Sequence, residues 1–427
     1  MPPVSLSLDN LMADRVGASG LPTDFLAAEA ASLRAAHAAL HARVRSGELP
    51  FLTLHKETAA LDRIRELVAA HRARFQDLVV LGIGGSSLGG RALLAALGGA
   101  GPRVHFPDNL DPDRFSALLA SLDLERTVFN PISKSGGTLE TLAQLLVVRD
   151  RLLPRFGPAG LAERLVVTTD PEKGFLRRLA KRDGLSALDV PPGVGGRFSV
   201  FTAVGLYPAG VGGVDLDAVL AGMAWAAELL ESSDPAENPA LAAAGALWAL
   251  DSRHGRPVLA TVAYADALRA TAEWFAQLWA ESLGKQGRGP TPVSAVGATD
   301  QHSQLQLWME GPPNTVISFI EVDAFKTQLV IPPADLGDDP ELAYMIGHDM
   351  GHILRTEKRG TEMALTAAGR PNLTWRLDRI SGESLGALML IWEAMTAYAG
   401  GLYGFDPFDQ PGVEAGKIVA KRLLAGR

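Results

Sequence analysis

The chain has 427 residues, 47% of them apolar and 21% charged, with a net charge of −8 and no cysteine. That composition fits a soluble globular protein with room for two or three domains. It excludes disulfides, thiol catalysis and thiolate metal sites, and its acidic balance repels nucleic acid and anionic lipid, so any basic site must be a local pocket.

The N-terminus carries acidic residues and proline before any apolar run, which is not the form of a signal peptide. Residues 22–75 are rich in Ala, Leu, Arg and His at helical spacing and predict N-terminal helices. His37 and His41 stand at i, i+4, but no third ligand of the right type is near, so they are expected to be packing or surface histidines. From Asp77 the pattern changes. Strands are expected at 77–82, 104–106, 126–132 and 164–169, with helices at 87–98, 112–121 and 138–152 between them. Such repeated strand–helix units predict a parallel sheet with helices on both faces.

Two turns in this region have the chemistry of anion sites. The apolar run Leu78–Leu81 is followed by Gly82, Gly84, Gly85, Ser86 and Ser87, where absent Cβ atoms allow close backbone approach and a helix begins. It is neither a dinucleotide fingerprint, because Ser87 stands where the third glycine belongs, nor a nucleotide P-loop, since Gly284-Lys285 and Gly416-Lys417 lack the following hydroxyl. The second turn is Ser133-Lys134-Ser135-Gly136-Gly137-Thr138, again between an apolar run and a helix start. Its three hydroxyls, one ammonium and two glycines suit a phosphate monoester. Neighbouring loops at the C-terminal strand ends of one sheet converge, so the two turns point to one ligand.

Gly193–Arg197 is a glycine turn that delivers a permanent planar cation, Arg197, ahead of the apolar stretch Phe198–Tyr207. An Asp-Pro break near 234–239 in the Ala-rich helices of 213–250 suggests a domain boundary, giving segments 1–75, 76–235 and 236–427. The second half repeats the strand–helix logic, with strands at 257–264, 293–296 and 314–322 and helices at 265–283 and 299–309. Gln277 and Glu281 lie one turn apart on a helix whose Trp274, Phe275, Leu278 and Trp279 predict burial, where a carboxylate is costly unless it has work to do. His302 follows. His348 and His352 have the spacing of a helical zinc pair, but Asp349 stands where a metalloprotease has Glu, and no convincing third ligand follows, so no metal is assigned. Leu385–Tyr403 is apolar but interrupted by Glu393 and predicts a buried helix, not a membrane span, and so a cytoplasmic protein. A proline-punctuated loop, Asp406–Lys417, then enters a last basic helix, 417–426.

Together these motifs resemble the phosphoglucose isomerase family. Gly-Ile-Gly-Gly-Ser-Ser at 82–87 and the turn at 133–138 match its phosphate-holding segments, and Gly-Gly-Arg-Phe-Ser at 195–199 matches the segment of its enediolate-facing arginine. Glu-Ser-Leu-Gly-Lys at 281–285 matches the segment that begins with the family's base. Asp-Gln-His-Ser at 300–303 matches its ring-opening histidine, and the stretch from Asp409 to Lys417 its C-terminal signature. The resemblance implies an α/β fold of two sugar-isomerase (SIS) type domains, each a parallel sheet flanked by helices, with helical N- and C-terminal extensions. It implies catalytic roles for Glu281, His302, Lys417 and Arg197, and substrate contacts from Gly85, Ser86, Ser87, Ser133, Lys134, Ser135, Thr138, Gln277 and Gln410. It also implies a homodimer with shared active sites, a sugar-phosphate substrate, and no cofactor. The expected activity is the interconversion of glucose 6-phosphate and fructose 6-phosphate, with Glu281 as a base whose pKa burial would raise. The alternatives are a dual phosphoglucose/phosphomannose isomerase and a non-catalytic phosphosugar-binding regulator. Gly136-Gly137 departs from the bulkier residues of many members and suggests a looser second loop.

Overall fold

In the computed structural model, which describes residues 2–336 and 339–426, two five-stranded sheets share one core. The strands are β1 (Val4–Ser7), β2 (Asp77–Leu81), β3 (Arg103–His105), β4 (Thr127–Ser133), β5 (Val166–Thr169), β6 (Ser186–Asp189), β7 (Val258–Ala263), β8 (Thr291–Val296), β9 (Thr315–Ala324) and β10 (Asn372–Arg379). The first sheet has the order β3-β2-β4-β5-β6 and is parallel throughout. The second has the order β1-β10-β9-β7-β8 and is parallel except for β1, which pairs antiparallel with β10.

Alternation along the central strands explains why helices cover both faces. Leu78 and Val80 point into the large shared core, while Val79 and Leu81 join Phe115, Phe129 and Leu145 on the other side. In the second sheet Leu259 and Ala263 face the shared core, and Ala260 and Val262 pack with Trp308 and Phe319. Strands buried on both faces must read as continuous apolar runs, which is why β2, β4 and β7 were visible in the sequence. The strands that were not foreseen, β1, β6 and β10, carry polar residues between apolar ones, as in Asn-Leu-Thr-Trp-Arg-Leu-Asp-Arg of β10.

Seven helices frame the site and its supports: α1 (Ala30–Arg45), α2 (Thr58–Arg74), α3 (Leu216–Leu230), α4 (Arg269–Leu283), α5 (Met350–Ala367), α6 (Gly382–Tyr403) and α7 (Glu414–Leu424). Helix α6 is the one helix among the described residues long and apolar enough to cross a membrane, but 89% of its apolar window is buried inside the protein. It packs backbone to backbone on α3. A Cβ at Gly386 would lie 2.1 Å from the Val219 carbonyl oxygen, and one at Gly222 would lie 2.0 Å from that of Glu383. His348 precedes the N-cap of α5, Asp349, so the two histidines singled out by spacing do not lie on one helix; their rings stack at 5.0 Å.

Three buried ionisable groups make stability depend on pH. His41 hydrogen-bonds the Tyr398 hydroxyl at 3.0 Å and stacks on His37 at 4.0 Å, and His71 hydrogen-bonds the Tyr207 hydroxyl at 2.7 Å. Burial brings both down from 6.5 to about 4, helped by His37 beside His41 and by Arg74 beside His71. Glu393 on α6 is fully buried with neither oxygen hydrogen-bonded among the described residues, and burial pushes its pKa well up. Between pH 6.5 and about 4 the unfolded chain holds more protons on these histidines than the folded one, so acid destabilises, by roughly 3 kcal/mol per histidine at the limit. Glu393 acts oppositely, because the unfolded chain releases its proton first as pH rises. Urea midpoints should therefore fall steeply from pH 6.5 to 4, the fall should shrink in His71→Gln, and Glu393→Gln should stabilise the protein at pH 7. A flat acid limb, or a destabilised Glu393→Gln, would contradict this account.

Candidate active site

The site forms where the C-terminal edge of the first sheet meets the last turns of α4. Buried Trp274, Phe275, Leu278 and Trp279 fix the roll of α4, which leaves Glu273, Gln277 and Glu281 on the opposite face, toward the first sheet's loops. Gln277 Nε2 donates to Glu281 Oε2 at 3.0 Å, and Glu281 Oε1 is 3.3 Å from Arg197 Nη1. The carboxylate side chain is 25% exposed and the guanidinium 2%. The burial expected of Glu281 is thus partial, and its surroundings are polar, with a donor at each carboxylate oxygen.

Arg197 is held on every side. Its Nε donates to Ser282 Oγ at 2.7 Å, Nη1 to Gln410 Oε1 at 2.9 Å, and Nη2 to the carbonyls of Pro407 and of Asp409, the latter at 2.9 Å. With Glu281, those five acceptors match the five donors of a guanidinium. Burial lowers the Arg197 pKa from its ordinary value, opposed by Glu281, Asp409 and Asp406; the group remains a cation whose field is undiluted by water.

The glycine loop after β2 fits against this arginine. A Cβ at Gly85 would lie 2.3 Å from the Gly196 carbonyl carbon and 2.7 Å from the Arg197 nitrogen, and Gly84, at φ +57°, sits against Gln277. Ser86 lies in the short turn Gly84–Ser86. The hydroxyl of buried Ser87 turns inward and donates to Asp108 at 3.2 Å, so its side chain is committed to the protein.

The loop after β4 is knitted by its own hydroxyls. Ser133 Oγ lies 2.7 Å from Thr138 Oγ1 and 3.3 Å from Ser135 Oγ, and the Gly137 N–H donates to Ser135 Oγ at 3.3 Å. Gly136 takes φ +67° to close the turn. Lys134 reaches across to the Val194 carbonyl at 2.6 Å and so joins this loop to the turn that carries Arg197. Burial lowers its pKa below the usual lysine value, with nearby Asp170 opposing.

One predicted residue stands apart from Glu281. The strands β7 and β8 are parallel, so α4 starts at the edge where β8 ends and runs toward the opposite edge. His302 follows β8 at that starting edge, while Glu281 lies about 18 Å further along the helix axis. His302 is exposed, and its side chain makes no hydrogen bond or ion pair among the described residues. Lys417 is exposed on α7, directly after the loop that grips Arg197. No group of three or more metal-ligating side chains occurs among the described residues.

The phosphoglucose isomerase family model matches residues 63–426 of the chain. The chain belongs to the phosphoglucose isomerase family. It is 49% identical over 376 residues to a glucose-6-phosphate isomerase of Rubrobacter xylanophilus, covering 84% of this chain and 87% of the relative. To one from Thermus thermophilus it is 38% identical over 389 residues, 88% of this chain and 91% of the relative. Among solved structures it is similar to a hypothetical protein of Thermus thermophilus, with a TM-score of 0.89 at 35% identity over 99% of this chain and all of that one. A glucose-6-phosphate isomerase of Chlamydia trachomatis gives a TM-score of 0.78 at 25% identity, with 87% and 74% coverage. The family's α/β architecture of parallel sheets flanked by helices is therefore the fold of this chain.

Motif matching within the family named Glu281, Arg197, Gln277 and Gln410, which the structure brings into one cluster, but did not name Ser282, Lys285 or the carbonyls of Pro407 and Asp409, which join it. Ser282 and Lys285 lie inside the Glu-Ser-Leu-Gly-Lys motif and could have been found there; a carbonyl has no side-chain signature. The tight approach of Gly85 to Gly196 gives a direct test. Gly85→Ala must displace the Arg197 backbone and should lower kcat/KM by about 10², whereas Gly99→Ala, where a Cβ meets nothing within 4 Å, should leave it unchanged. Equal activity of the two variants would mean that the loop contact does not set the arginine.

Proposed function

We propose that this chain interconverts glucose 6-phosphate and fructose 6-phosphate, opening the sugar ring and moving one proton between C1 and C2 through a cis-enediol. The chain is an aldose–ketose isomerase by family. Neither a dual phosphomannose activity nor a non-catalytic regulator finds support in the likenesses to known proteins. The observation that carries the mechanism is Glu281 held between Arg197 and Gln277.

Glu281, as carboxylate, takes the proton from C2 of the open-chain aldose and returns it to C1, so one group serves as base and then acid. Negative charge develops on the substrate oxygens as the carbon is deprotonated. Arg197 Nη1, the nitrogen that faces Glu281, balances it from a fixed position at no cost of reorganisation. Gln277 holds the second carboxylate oxygen and so orients the lone pair that receives the proton. Ser133, Lys134, Ser135 and Thr138, with the Ser86 hydroxyl and the backbone of Gly85 and Ser87, hold the phosphate and position the reacting carbons. Gln410 supports substrate and arginine together. His302 and Lys417 exchange the proton at the ring oxygen when the pyranose opens. This chemistry calls for no metal and no redox cofactor, and the protein would work in the cytoplasm.

In a coupled assay of fructose 6-phosphate conversion, Glu281→Gln keeps the shape of the base without its proton affinity. It should cut turnover by about 10²–10⁴ while substrate still binds. Near-normal turnover would remove Glu281 from the mechanism.

His302 must reach the substrate from elsewhere, because α4 separates it from Glu281 within one chain. We propose a homodimer in which each His302 completes its partner's site. An exposed apolar side chain on the segment that follows it, Leu307 at 61% exposure, is what such an interface would cover. Re-assorting Glu281→Gln with His302→Ala at equal amounts should restore roughly a quarter of wild-type sites, since about half the dimers are mixed and each has one intact site. Mixtures that stay inactive, or an active monomer, would place both residues in one subunit.

A further inference from the structure

We infer that Lys285 is a positioning residue for the isomerisation: with Asp409 it pins the loop 406–410 so that Arg197 stays aligned on Glu281. The inference rests on Arg197 as the partner of the developing oxyanion.

Lys285 stands two residues beyond the end of α4, the helix that carries Glu281. It springs from a closed turn, in which the Lys285 N–H donates to the Arg288 carbonyl at 3.2 Å and the Arg288 N–H to the Lys285 carbonyl at 3.0 Å. Its side chain is 12% exposed, and its ammonium donates to the Asp406 carbonyl and to Asp409 Oδ1, the latter at 2.5 Å. The carbonyls on either side of Phe408 are the ones that accept from Arg197 Nη2. The loop therefore lies between two cations, with Arg197 on its carbonyls and Lys285 on Asp406 and Asp409. Phe408 packs on Phe198 at 4.8 Å, and Arg43 pairs with Asp406 at 3.2 Å, so the loop is also held from the side away from α4.

Of these contacts, the one from Lys285 comes from the same chain end as the base. It fixes the distance between the end of α4 and the oxygens that grip the guanidinium. The Asp409 side chain is 59% exposed, and an ion pair with so exposed a partner stabilises a fold little. What it does supply is alignment. Without it the Pro407 and Asp409 carbonyls can shift, and Arg197 follows them away from Glu281. Substrate binding through the phosphate loops is untouched, so the loss should fall on turnover.

The test is steady-state kinetics with fructose 6-phosphate for Lys285→Met and Lys285→Arg, each made alone and with Arg197→Lys. Lys285→Met should lower kcat by about 10- to 100-fold, the effect of a misplacement near 1 Å, with KM within about threefold. Lys285→Arg should recover most of the loss. In the Arg197→Lys background, where the aligned group is gone, Lys285→Met should cost less than about twofold. An unchanged kcat, a loss expressed in KM alone, or the same factor in both backgrounds would overturn the inference. An Arg197→Lys single variant with full turnover would instead refute the role given to Arg197 and take the inference with it. Should Lys285→Met fail to fold, Asp409→Asn removes the same pair from its exposed side and must show the same split between kcat and KM.

Discussion

The contact between Arg197 and Glu281 is where the two halves of the chain meet chemically. The arginine rides on a glycine turn that follows the first sheet, and the glutamate sits at the end of a helix that packs on the second. A guanidinium that is 2% exposed cannot be left unpaired, because burying a charge without compensation costs far more than any single packing contact recovers. That constraint accounts for much of the surrounding design. Ser282, Gln410 and two carbonyls of the loop 406–410 complete the shell, and Gly85 lacks a Cβ where one would push the turn away.

The same constraint links structure to reaction. A carboxylate with a donor at each oxygen is fixed in orientation, and in the proposed reaction the cation beside it lies where negative charge appears as the substrate loses its proton. As the proton leaves carbon, the substrate oxygen takes over the Nη1 donor in this reading, so the arginine's field shifts from the base to the intermediate during the step.

How far the sequence led depends on what kind of signal each feature leaves. Strands buried on both faces announce themselves as apolar runs, so β2, β4 and β7 were legible, and the glycine–hydroxyl turns after β2 and β4 could be placed from the same pattern. Strands β1, β6 and β10 interleave polar with apolar residues and owe their existence to partners distant in the chain, as β1 does to β10. At the site, Glu281, Gln277 and Arg197 were legible as side chains in motifs, and the structure brings them into contact. Three things were not legible. The inward turn of Ser87 to Asp108 and the reach of Lys134 to Val194 depend on tertiary neighbours that local spacing does not encode. The separation of His302 from Glu281 follows from the direction of α4 against parallel strands, a property of topology.

The central claim is that a single protein base moves the hydrogen, with Arg197 steadying the charge it leaves behind. Isomerisation of fructose 6-phosphate in D2O, followed by proton NMR at C1 and C2, tests it most directly. A carboxylate base exchanges its proton with solvent during some turnovers, so deuterium should enter C2 of the product and C1 of recovered substrate, and Glu281→Gln should abolish both conversion and exchange. Complete conversion with no deuterium at either carbon, or exchange at the wild-type rate in Glu281→Gln, would contradict the account.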